Sequence, residues 1–241
     1  PWLIEQVTNF NKIGFDTTVY RIPNESILKR IKATISLRKL IKKREFTFIH
    51  CHWGYNTIIA YNSTIPIITT FHGSDLQGDV KEDGSHTIKG YIIIFLSRIS
   101  TLLSYHNIFV SSRLARSVPN KVLNKKNTII PMGYDSKLFK PINKRVARDM
   151  LKLDQKKKYI LFAGNYSKSV KGYPLAIKVM NSLDKSYELI KLDYASHKAM
   201  ATYMNASDVL LMTSYHEGAP VIVKEALACN LPVISTDVGD V

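Results

Sequence analysis

Residues 209–236 read VLLMTSYHEGAPVIVKEALACNLPVIST, and they contain the clearest signals of secondary structure in the chain. It opens with a continuous apolar run, which is typical of a strand buried on both faces of a sheet. Pro220 suits the first turn of a helix, where the missing N–H of proline would have no partner anyway. Asn230 tolerates the left-handed conformation that ends many helices, and Leu231-Pro232 begins the next apolar run. The order strand, turn, helix, strand predicts one unit of a parallel α/β sheet.

Apolar runs and helical segments alternate along the rest of the chain as well. Several runs are continuous rather than alternating, as expected for parallel strands that helices cover on both faces. Strands are predicted at Thr17–Tyr20, Phe46–Trp53, Ile65–His72, Asn107–Ser111, Tyr159–Gly164, Tyr187–Leu192, Asp208–Thr213 and Pro232–Thr236. Helices are predicted at Ile27–Lys43, Tyr91–Leu103, Pro174–Leu183 and Pro220–Cys229. This repetition predicts the α/β class with parallel sheets.

Residues 131–141, PMGYDSKLFKP, interrupt the alternation, because two prolines and a glycine bracket a segment with neither period. We interpret this segment as a linker between two α/β domains, residues 1–135 and 136–241, and the alternative is a surface loop within one domain. The chain opens inside a predicted helix and stops just after a predicted strand. We therefore expect both domains to be incomplete, the first without its first strand and the second without its C-terminal part.

The composition is that of an ordinary folded protein, since 45% of the 241 residues are hydrophobic and 22% are charged. The sequence has no run of 18 apolar residues and no recognisable secretory signal. Cys51 and Cys229 lie far apart without the spacing of a disulfide framework, which favours a reducing compartment. We therefore expect a cytoplasmic protein.

Positive charge is concentrated in the first half of the chain. The formal net charge is +15, and residues 1–140 carry 20 Lys and Arg against 9 Asp and Glu. The segment Lys29–Arg44 holds eight basic residues and no acid, with Ile31 and Ile35 between them at helical spacing. This pattern predicts a basic amphipathic helix that contacts an anionic membrane, at the inner face of the cytoplasmic membrane. The alternative is a solvated helix whose apolar stripe packs on its own domain. Nucleic acid is not expected, because no aromatic residues or reader motif accompany the charge.

Two glutamates flank the turn in the opening stretch. Glu217 precedes the predicted helix, and Glu225 lies about two turns inside it. The N–H groups of Gly218 and Ala219 would lie at the helix N-terminus, at the edge of a parallel sheet where ligands bind and where a phosphate is favoured. Carboxylates suit sugar and ribose hydroxyls, because each carboxylate can accept two of them. The alternative for either glutamate is a solvated acid.

A second polar loop, residues 164–173, follows a predicted strand and contains Lys168 and Lys171. Two cations at the edge of a sheet would neutralise a diphosphate leaving group as charge develops on it. The alternative is that both lysines are simply solvated. Lysine binds phosphate as a point charge, without the two-pronged geometry of arginine.

The spacing Glu217-x7-Glu225 resembles the Glu-x7-Glu signature of retaining GT-B glycosyltransferases of family 4. The resemblance implies two Rossmann-like domains with parallel sheets facing across a cleft. It also implies a UDP- or GDP-sugar donor, retention of configuration and no bound metal or other cofactor. By resemblance, Glu217 lies against the donor sugar and Glu225 binds the ribose. Asn230 departs from the family's usual glycine, and both residues tolerate positive φ.

Other segments are similar to the same family. Lys171-Gly172 matches its Lys-Gly, and Lys168 stands where some subfamilies have arginine. The run TTFHGSDL at residues 69–76 resembles its His-Gly/Asp segment. This implies that His72 faces the donor sugar and that Asp75 orients His72 or meets the acceptor. The linker resembles the family's Gly-Val-Asp…Phe-x-Pro.

The tripeptide His50-Cys51-His52 raises the question of a metal site. Alternation in a strand places His50 and His52 on one face and Cys51 on the other, so the three cannot easily share one ion. We therefore expect no metal site here.

These observations predict a hexosyltransferase that moves a sugar from a nucleotide-sugar donor to a glycan or lipid-linked acceptor, in polysaccharide or glycolipid synthesis. Two alternatives stay open on the sequence. One is a non-catalytic fragment that binds a nucleotide sugar, and the other is a nucleotide-sugar epimerase of the GT-B type.

Overall fold

A computed structural model of the chain describes residues 2–22, 27–61, 64–81, 83–119, 127–165, 167–193 and 195–241. These residues form two four-stranded sheets, and every strand pair within both sheets is parallel. We refer to the parts of the chain that pack on the two sheets as the first and second domains.

The first domain has its strands in the order β1-β2-β3-β4. The strands are β1 Ile49–His52, β2 Ile67–Phe71, β3 His106–Phe109 and β4 Asn127–Ile129. The helices are α1 Trp2–Lys12, α2 Ile27–Lys43, α3 Thr57–Ala60, α4 Ser74–Gln77, α5 Ile88–Leu103 and α6 Ser112–Arg116. Between β2 and β3 the core is aromatic, with the rings of Phe71 and Phe109 stacked at 5.1 Å and fully buried.

The second domain has its strands in the order β6-β5-β7-β8. The strands are β5 Lys158–Ala163, β6 Tyr187–Leu192, β7 Val209–Met212 and β8 Val233–Ser235. The helices are α7 Lys144–Leu151, α8 Tyr173–Asn181, α9 His197–Ala206 and α10 Val221–Ala228. Four consecutive residues of β5 are buried, which confirms that this continuous apolar run is covered on both faces.

The linker enters the core of the second domain. Phe139 is 2% exposed and packs in one cluster with Leu161, Met204 and Leu210. Asn205 fixes the backbone that follows Phe139. Its side-chain amide accepts from the N–H of Ile142 and donates to the carbonyl of Lys140. The boundary predicted between residues 135 and 136 lies between the last strand of the first sheet and the first strand of the second, and it stays a prediction.

Two details of the predicted secondary structure are wrong. Thr17–Tyr20 forms no strand, since its backbone pairs with no strand in the described part of the chain. Tyr20 is instead fixed by its side chain, whose hydroxyl donates to the carbonyl of Ala33 in α2 at 2.9 Å. The short strand β4 was not predicted, because its three residues are too few to show a period. The incompleteness expected at both ends stays a prediction.

None of the helices within the described ranges has the length and apolar character needed to cross a membrane.

A buried arginine ties α7 to the second sheet. Arg148 donates from Nε to the carbonyl of Ala206 at 2.9 Å and from Nη1 to that of Gln155 at 3.0 Å. Its Nη2 lies 2.8 Å from Asp208, and its guanidinium lies over the ring of Tyr159. The Arg148 side chain is only 6% exposed, whereas that of Asp208 is 34% exposed.

We expect Arg148→Met to lower the free energy of unfolding by roughly 3 kcal/mol, because it removes the donor from the buried carbonyl of Ala206 and from the part-buried carbonyl of Gln155, and it leaves Asp208 with one fewer charged donor. Lys144→Met is the matched control, since Lys144 contacts the same Asp208 at 2.8 Å but is 49% exposed. It should lower the unfolding free energy by about 0–1 kcal/mol. Urea unfolding followed by circular dichroism measures both, and equal losses would contradict this account of Arg148.

Candidate functional site

The loop after β7 and the loop after β5 are fixed to each other. The hydroxyl of Thr213 donates to the carbonyls of Lys171 and Gly172, at 3.0 and 2.9 Å. Gly172 has a φ of +61°, and a Cβ there would collide with the Thr213 carbonyl, so only glycine fits. The N–H of Tyr215 donates to the carbonyl of Val170 at 2.9 Å. The two loops therefore form one unit at the carboxyl edge of the second sheet.

Glu217 and Lys171 form an ion pair in this unit. Lys171 Nζ lies 2.7 Å from Glu217 Oε1, and the hydroxyl of Ser214 donates to the same oxygen at 2.7 Å. The two side chains are 27% and 17% exposed, so solvent ions screen this pair less than a surface pair. Gln77, from the first domain, donates to the backbone carbonyl of Glu217 at 3.0 Å. Three separate groups thus fix Glu217 where the domains meet.

Gly218 lies against the first domain. A Cβ on Gly218 would collide with the carbonyl oxygen of His72, and Gly73 touches Gly218 from the same side. The hydroxyl of Ser111 donates to the carbonyl of Gly218 at 2.6 Å, and Ala219 packs on the apolar core of the first domain. In this conformation, first-domain backbone fills the space beside the glycine that the sequence assigns to phosphate binding.

The secondary structure around Glu217 and Glu225 agrees with the sequence-based prediction. Helix α10 begins at Val221, and Pro220 is its N-cap residue rather than its first helical residue. Glu225 lies in the second turn, where burial raises the pKa of its carboxyl and nearby His197 acts in the opposite direction. Asn230 has a φ of +57°, the left-handed conformation predicted for the helix end. The strand, turn, helix, strand order of this unit is confirmed.

The two candidate phosphate lysines are placed differently. Lys171 ends a 3₁₀ turn, Ser169–Lys171, and reaches Glu217. Lys168 precedes that turn and is exposed. Among the ion pairs of the described residues, Glu217 pairs with Lys171 and not with Lys168. The role of either lysine toward phosphate stays a prediction.

His72 follows β2, at the place where the two domains touch. Its Nε2 lies 3.0 Å from Nδ1 of His52. The centroids of the His72 and Trp53 rings are 5.1 Å apart. Burial lowers the pKa of His72 to about 4. The ring is therefore neutral at pH 7, with one nitrogen that donates and one that accepts. Because Gly73 touches Gly218, the structure places the loops of His72 and Glu217 side by side.

Asp75 does not face the cleft. It is fully buried, and its carboxylate accepts from the backbone N–H groups of Gly54, His72, Gly73 and Leu76 at 2.9–3.2 Å. Burial raises the pKa of this carboxyl and the N–H donors lower it. Of the two roles expected for Asp75, the structure contradicts contact with the acceptor, because the side chain is fully buried. It fixes the backbone that carries His72.

The alternation predicted for His50-Cys51-His52 is confirmed. The rings of His50 and His52 lie 4.4 Å apart on one face of β1. Cys51 is buried, and burial raises the pKa of its thiol to about 12. Across the ranges that the structure describes, no group of three His, Cys, Asp or Glu could hold a metal ion. Independence from metal stays a prediction.

Three side chains that hold the 213–219 loop were not predicted from the sequence. Ser214 and Ser111 each lie two residues after a strand, β7 and β3 respectively, so both are polar residues near the carboxyl end of a strand. That position was a usable signal, since ligands bind beside such strand ends. Gln77 ends the short helix α4, and nothing in its local sequence indicates a partner 140 residues away.

Comparison with known proteins gives two family matches. The family described as Glycosyltransferase Family 4 matches residues 10–138, which is more than half of the chain. The family described as Glycosyl transferases group 1 matches residues 188–241, which include both glutamates.

Two curated relatives match most of this chain but only part of their own length. The putative teichuronic acid biosynthesis glycosyltransferase TuaC of Bacillus subtilis is 26% identical over 84% of this chain and 57% of its own. The UDP-Gal:alpha-D-GlcNAc-diphosphoundecaprenol alpha-1,3-galactosyltransferase of Escherichia coli is 24% identical over 90% of this chain and 64% of its own. The chain therefore spans less than two thirds of either relative.

The fold is shared with solved glycosyltransferase structures of the GT-B type. The sucrose-phosphate synthase of Thermosynechococcus elongatus aligns with a TM-score of 0.74 at 18% identity, over 92% of this chain and 64% of its own. At this identity the likeness concerns the fold alone. Together with the family match over residues 10–138, it shows that the chain has the GT-B fold and belongs to glycosyltransferase family 4.

Proposed function

We propose that this chain belongs to a hexosyltransferase that moves a sugar from a nucleotide-sugar donor to a glycan or lipid-linked acceptor, in polysaccharide or glycolipid synthesis. The observation that carries the proposal is the ion pair between Lys171 and Glu217, at the carboxyl edge of the second sheet and against the loop of His72. A cation and a carboxylate side by side suit the two ends of a sugar diphosphate. The cation suits the phosphates, and the carboxylate suits the hydroxyls of the sugar.

In the proposed complex the ion pair between Lys171 and Glu217 opens, and each side chain binds a different part of the donor. Lys171 turns to the diphosphate and stabilises the charge that develops on the leaving group. Glu217, still held by Ser214, accepts hydroxyls of the sugar. Glu225 binds the ribose from the second turn of α10. Phosphate reaches the N–H groups of Gly218 and Ala219 when the backbone of His72 moves away from them.

A UDP-sugar is the donor that we favour. The relative from Escherichia coli is named for UDP-Gal, and its chain aligns with 90% of this one. Retention of configuration is part of the proposal through the Glu-x7-Glu signature. Glu217 acts in it by position and charge and not as a nucleophile. No metal is needed, since Lys171 supplies positive charge at the leaving group.

The outer faces of α2 and α5 suit contact with an anionic bilayer at the inner face of the cytoplasmic membrane. Both helices contact α3. Neither contains an acidic residue, and α2 alone contains seven Lys and Arg. Ala33 and Leu37 of α2 are buried against the sheet. Other large apolar side chains of the two helices are exposed, namely Leu28, Ile31, Ile35, Ile88, Tyr91, Ile92, Phe95 and Leu102.

The structure thus divides the apolar residues of α2 between two faces. One face packs on its own domain, as in the solvated-helix interpretation, and the other stays open beside the lysines. Open apolar side chains among basic ones favour a lipid surface. The same relative from Escherichia coli is named for the acceptor alpha-D-GlcNAc-diphosphoundecaprenol, in which the sugar is linked to a lipid diphosphate. A membrane-bound acceptor would then meet the donor in the cleft.

Lys171→Met should weaken UDP binding at least tenfold, because it removes a charge-assisted contact worth about 1.5–3 kcal/mol. Lys168→Met is the matched control, and it should weaken binding less than threefold, since Lys168 is exposed and apart from the Glu217 pair. Isothermal titration with UDP at fixed salt measures both constants. If the two variants lose affinity equally, Lys171 has no special place in the donor site.

Glu225→Ala should weaken UDP binding about tenfold, because the ribose loses a charged acceptor worth roughly 1.5 kcal/mol. The same variant should bind the 2′,3′-dideoxy analogue of UDP as the unchanged protein does, since that analogue has no hydroxyl to offer. Titration with both nucleotides separates a ribose contact from general damage to the site. Equal losses for UDP and the analogue would rule out the ribose contact.

Replacing Lys39, Lys42 and Lys43 by glutamine should reduce binding to phosphatidylglycerol vesicles at least tenfold, at about 1 kcal/mol for each lysine near the surface. The control replaces Lys156, Lys178 and Lys198, three exposed lysines of the second domain, and carries the same change in net charge. Cosedimentation at 0.1 M salt, with phosphatidylcholine vesicles as the neutral reference, measures the difference. Similar losses in both triple variants would mean that only net charge matters and that α2 is not the contact.

A further inference from the structure

Three histidines form a row at the carboxyl ends of β1 and β2. Nε2 of His50 lies 2.7 Å from the hydroxyl oxygen of Thr70, and Nδ1 of His52 lies 3.0 Å from Nε2 of His72. The ring centroids of His50 and His52 are 4.4 Å apart, and those of His52 and His72 are 5.2 Å apart. His72 belongs to the run TTFHGSDL that resembles the family's His-Gly/Asp segment. The contact with His52 is a property of this structure that the sequence motif does not contain.

The contact between His52 and His72 is a hydrogen bond between two neutral rings. Burial lowers the pKa of His52 to about 3 and that of His72 to about 4. A neutral imidazole has one nitrogen that donates and one that accepts. If His52 Nδ1 donates, His72 must carry its own proton on Nδ1, and if it accepts, His72 carries the proton on Nε2. The bond therefore links the tautomers of the two rings.

Trp53 holds the same ring from another side. It has a φ of +63° and a ψ of +120°, a backbone conformation that non-glycine residues rarely adopt. Strain of this kind persists only where the surroundings enforce it. Here the N–H of Trp53 donates to the carbonyl of Thr70 at 3.0 Å, and the next N–H, of Gly54, donates to Asp75 at 2.9 Å. These bonds turn the chain so that the Trp53 ring lies beside His72.

Asp75 fixes the backbone on both sides of this contact between Trp53 and His72. The same buried carboxylate that accepts from Gly54 also accepts from the N–H groups of His72 and Gly73. One residue therefore fixes the backbone on which Trp53 depends and the backbone that carries His72. The ring of His72 is held at its edge by His52 and beside its face by Trp53. Such complete support is expected for a side chain whose direction matters to a ligand.

We propose that His52 is a positioning residue that, together with Trp53, sets the tautomer and ring plane of His72 for its contact with the donor sugar. The proposal rests on the proposed function, because the contact of His72 with the sugar is part of that function. It goes further by stating which neighbour decides whether the second nitrogen of His72 donates to the sugar or accepts from it.

The decisive measurement is the tautomer of His72 in ¹⁵N-histidine-labelled protein at pH 7, from two-bond proton–nitrogen correlation spectra. The signals of His72 are assigned by their loss in His72→Gln. In the unchanged protein we expect one dominant tautomer, with well-separated shifts for Nδ1 and Nε2. In His52→Ala we expect the two shifts to move toward each other, because both tautomers become populated.

His106→Ala is the control for the loss of a histidine from a neighbouring strand. His106 lies on β3 and contacts Thr128 at 2.9 Å, away from the row. It should leave the signals of His72 unchanged. Unchanged His72 signals in His52→Ala would overturn the proposal, and so would equal shifts in His52→Ala and His106→Ala.

Donor titration adds a readout that a purely structural role would not move. His52→Ala should weaken binding of UDP-galactose about tenfold relative to binding of UDP, because only the sugar meets His72. Equal losses for both ligands would contradict the proposal. If the tautomer depends on His52 but the unchanged protein binds neither ligand, the proposed function fails and the link between the two histidines stands.

Discussion

The contact between Gly218 and the carbonyl of His72 fixes the geometry of the cleft. Any side chain at Gly218 would collide with that carbonyl, so the two loops can approach closely only because this residue is glycine. The donors Gln77 and Ser111 then bind the carbonyls of Glu217 and Gly218 and hold the approach. His72 and Glu217 take their positions relative to each other from this contact, because His72 precedes it on one domain and Glu217 precedes it on the other.

The charge at this contact is balanced within the protein. Lys171 and Glu217 neutralise each other at 2.7 Å while both are largely shielded from water. In the proposed function, a donor that takes Lys171 must leave Glu217 with an equivalent partner, or an unpaired carboxylate stays half-buried at high cost. The sugar hydroxyls can replace only part of that charge, whereas Ser214 stays bound. A diphosphate without a sugar should therefore satisfy the site less completely than the whole donor does.

The sequence predicts the parts of this site that local chemistry controls. Pro220, Asn230 and the apolar run of β7 identify the unit around the glutamates, since each acts through the conformation of its own backbone. Thr17–Tyr20 was predicted wrongly as a strand because strand formation depends on a partner that the segment itself does not encode. Asp75 looked like a ligand group, yet four N–H groups within 21 residues of it in sequence bury it completely. Gln77 reaches a carbonyl 140 residues away, and no local pattern records such a contact.

The distribution of charge separates the two tasks of the proposed enzyme. Residues 1–140 carry 11 more basic than acidic residues, whereas residues 141–241, which contain Lys171 and both glutamates, carry only 4 more. In the proposed function a dianionic donor would be recognised by short-range contacts, because the second domain offers little long-range attraction and the nearest cation is already paired. The excess on α2 acts over about a Debye length, roughly 10 Å at 0.1 M salt, which suits a broad anionic surface better than a single small ligand. Charge would thus bring the first domain to its membrane-linked acceptor, while the close contacts of the second domain select the donor.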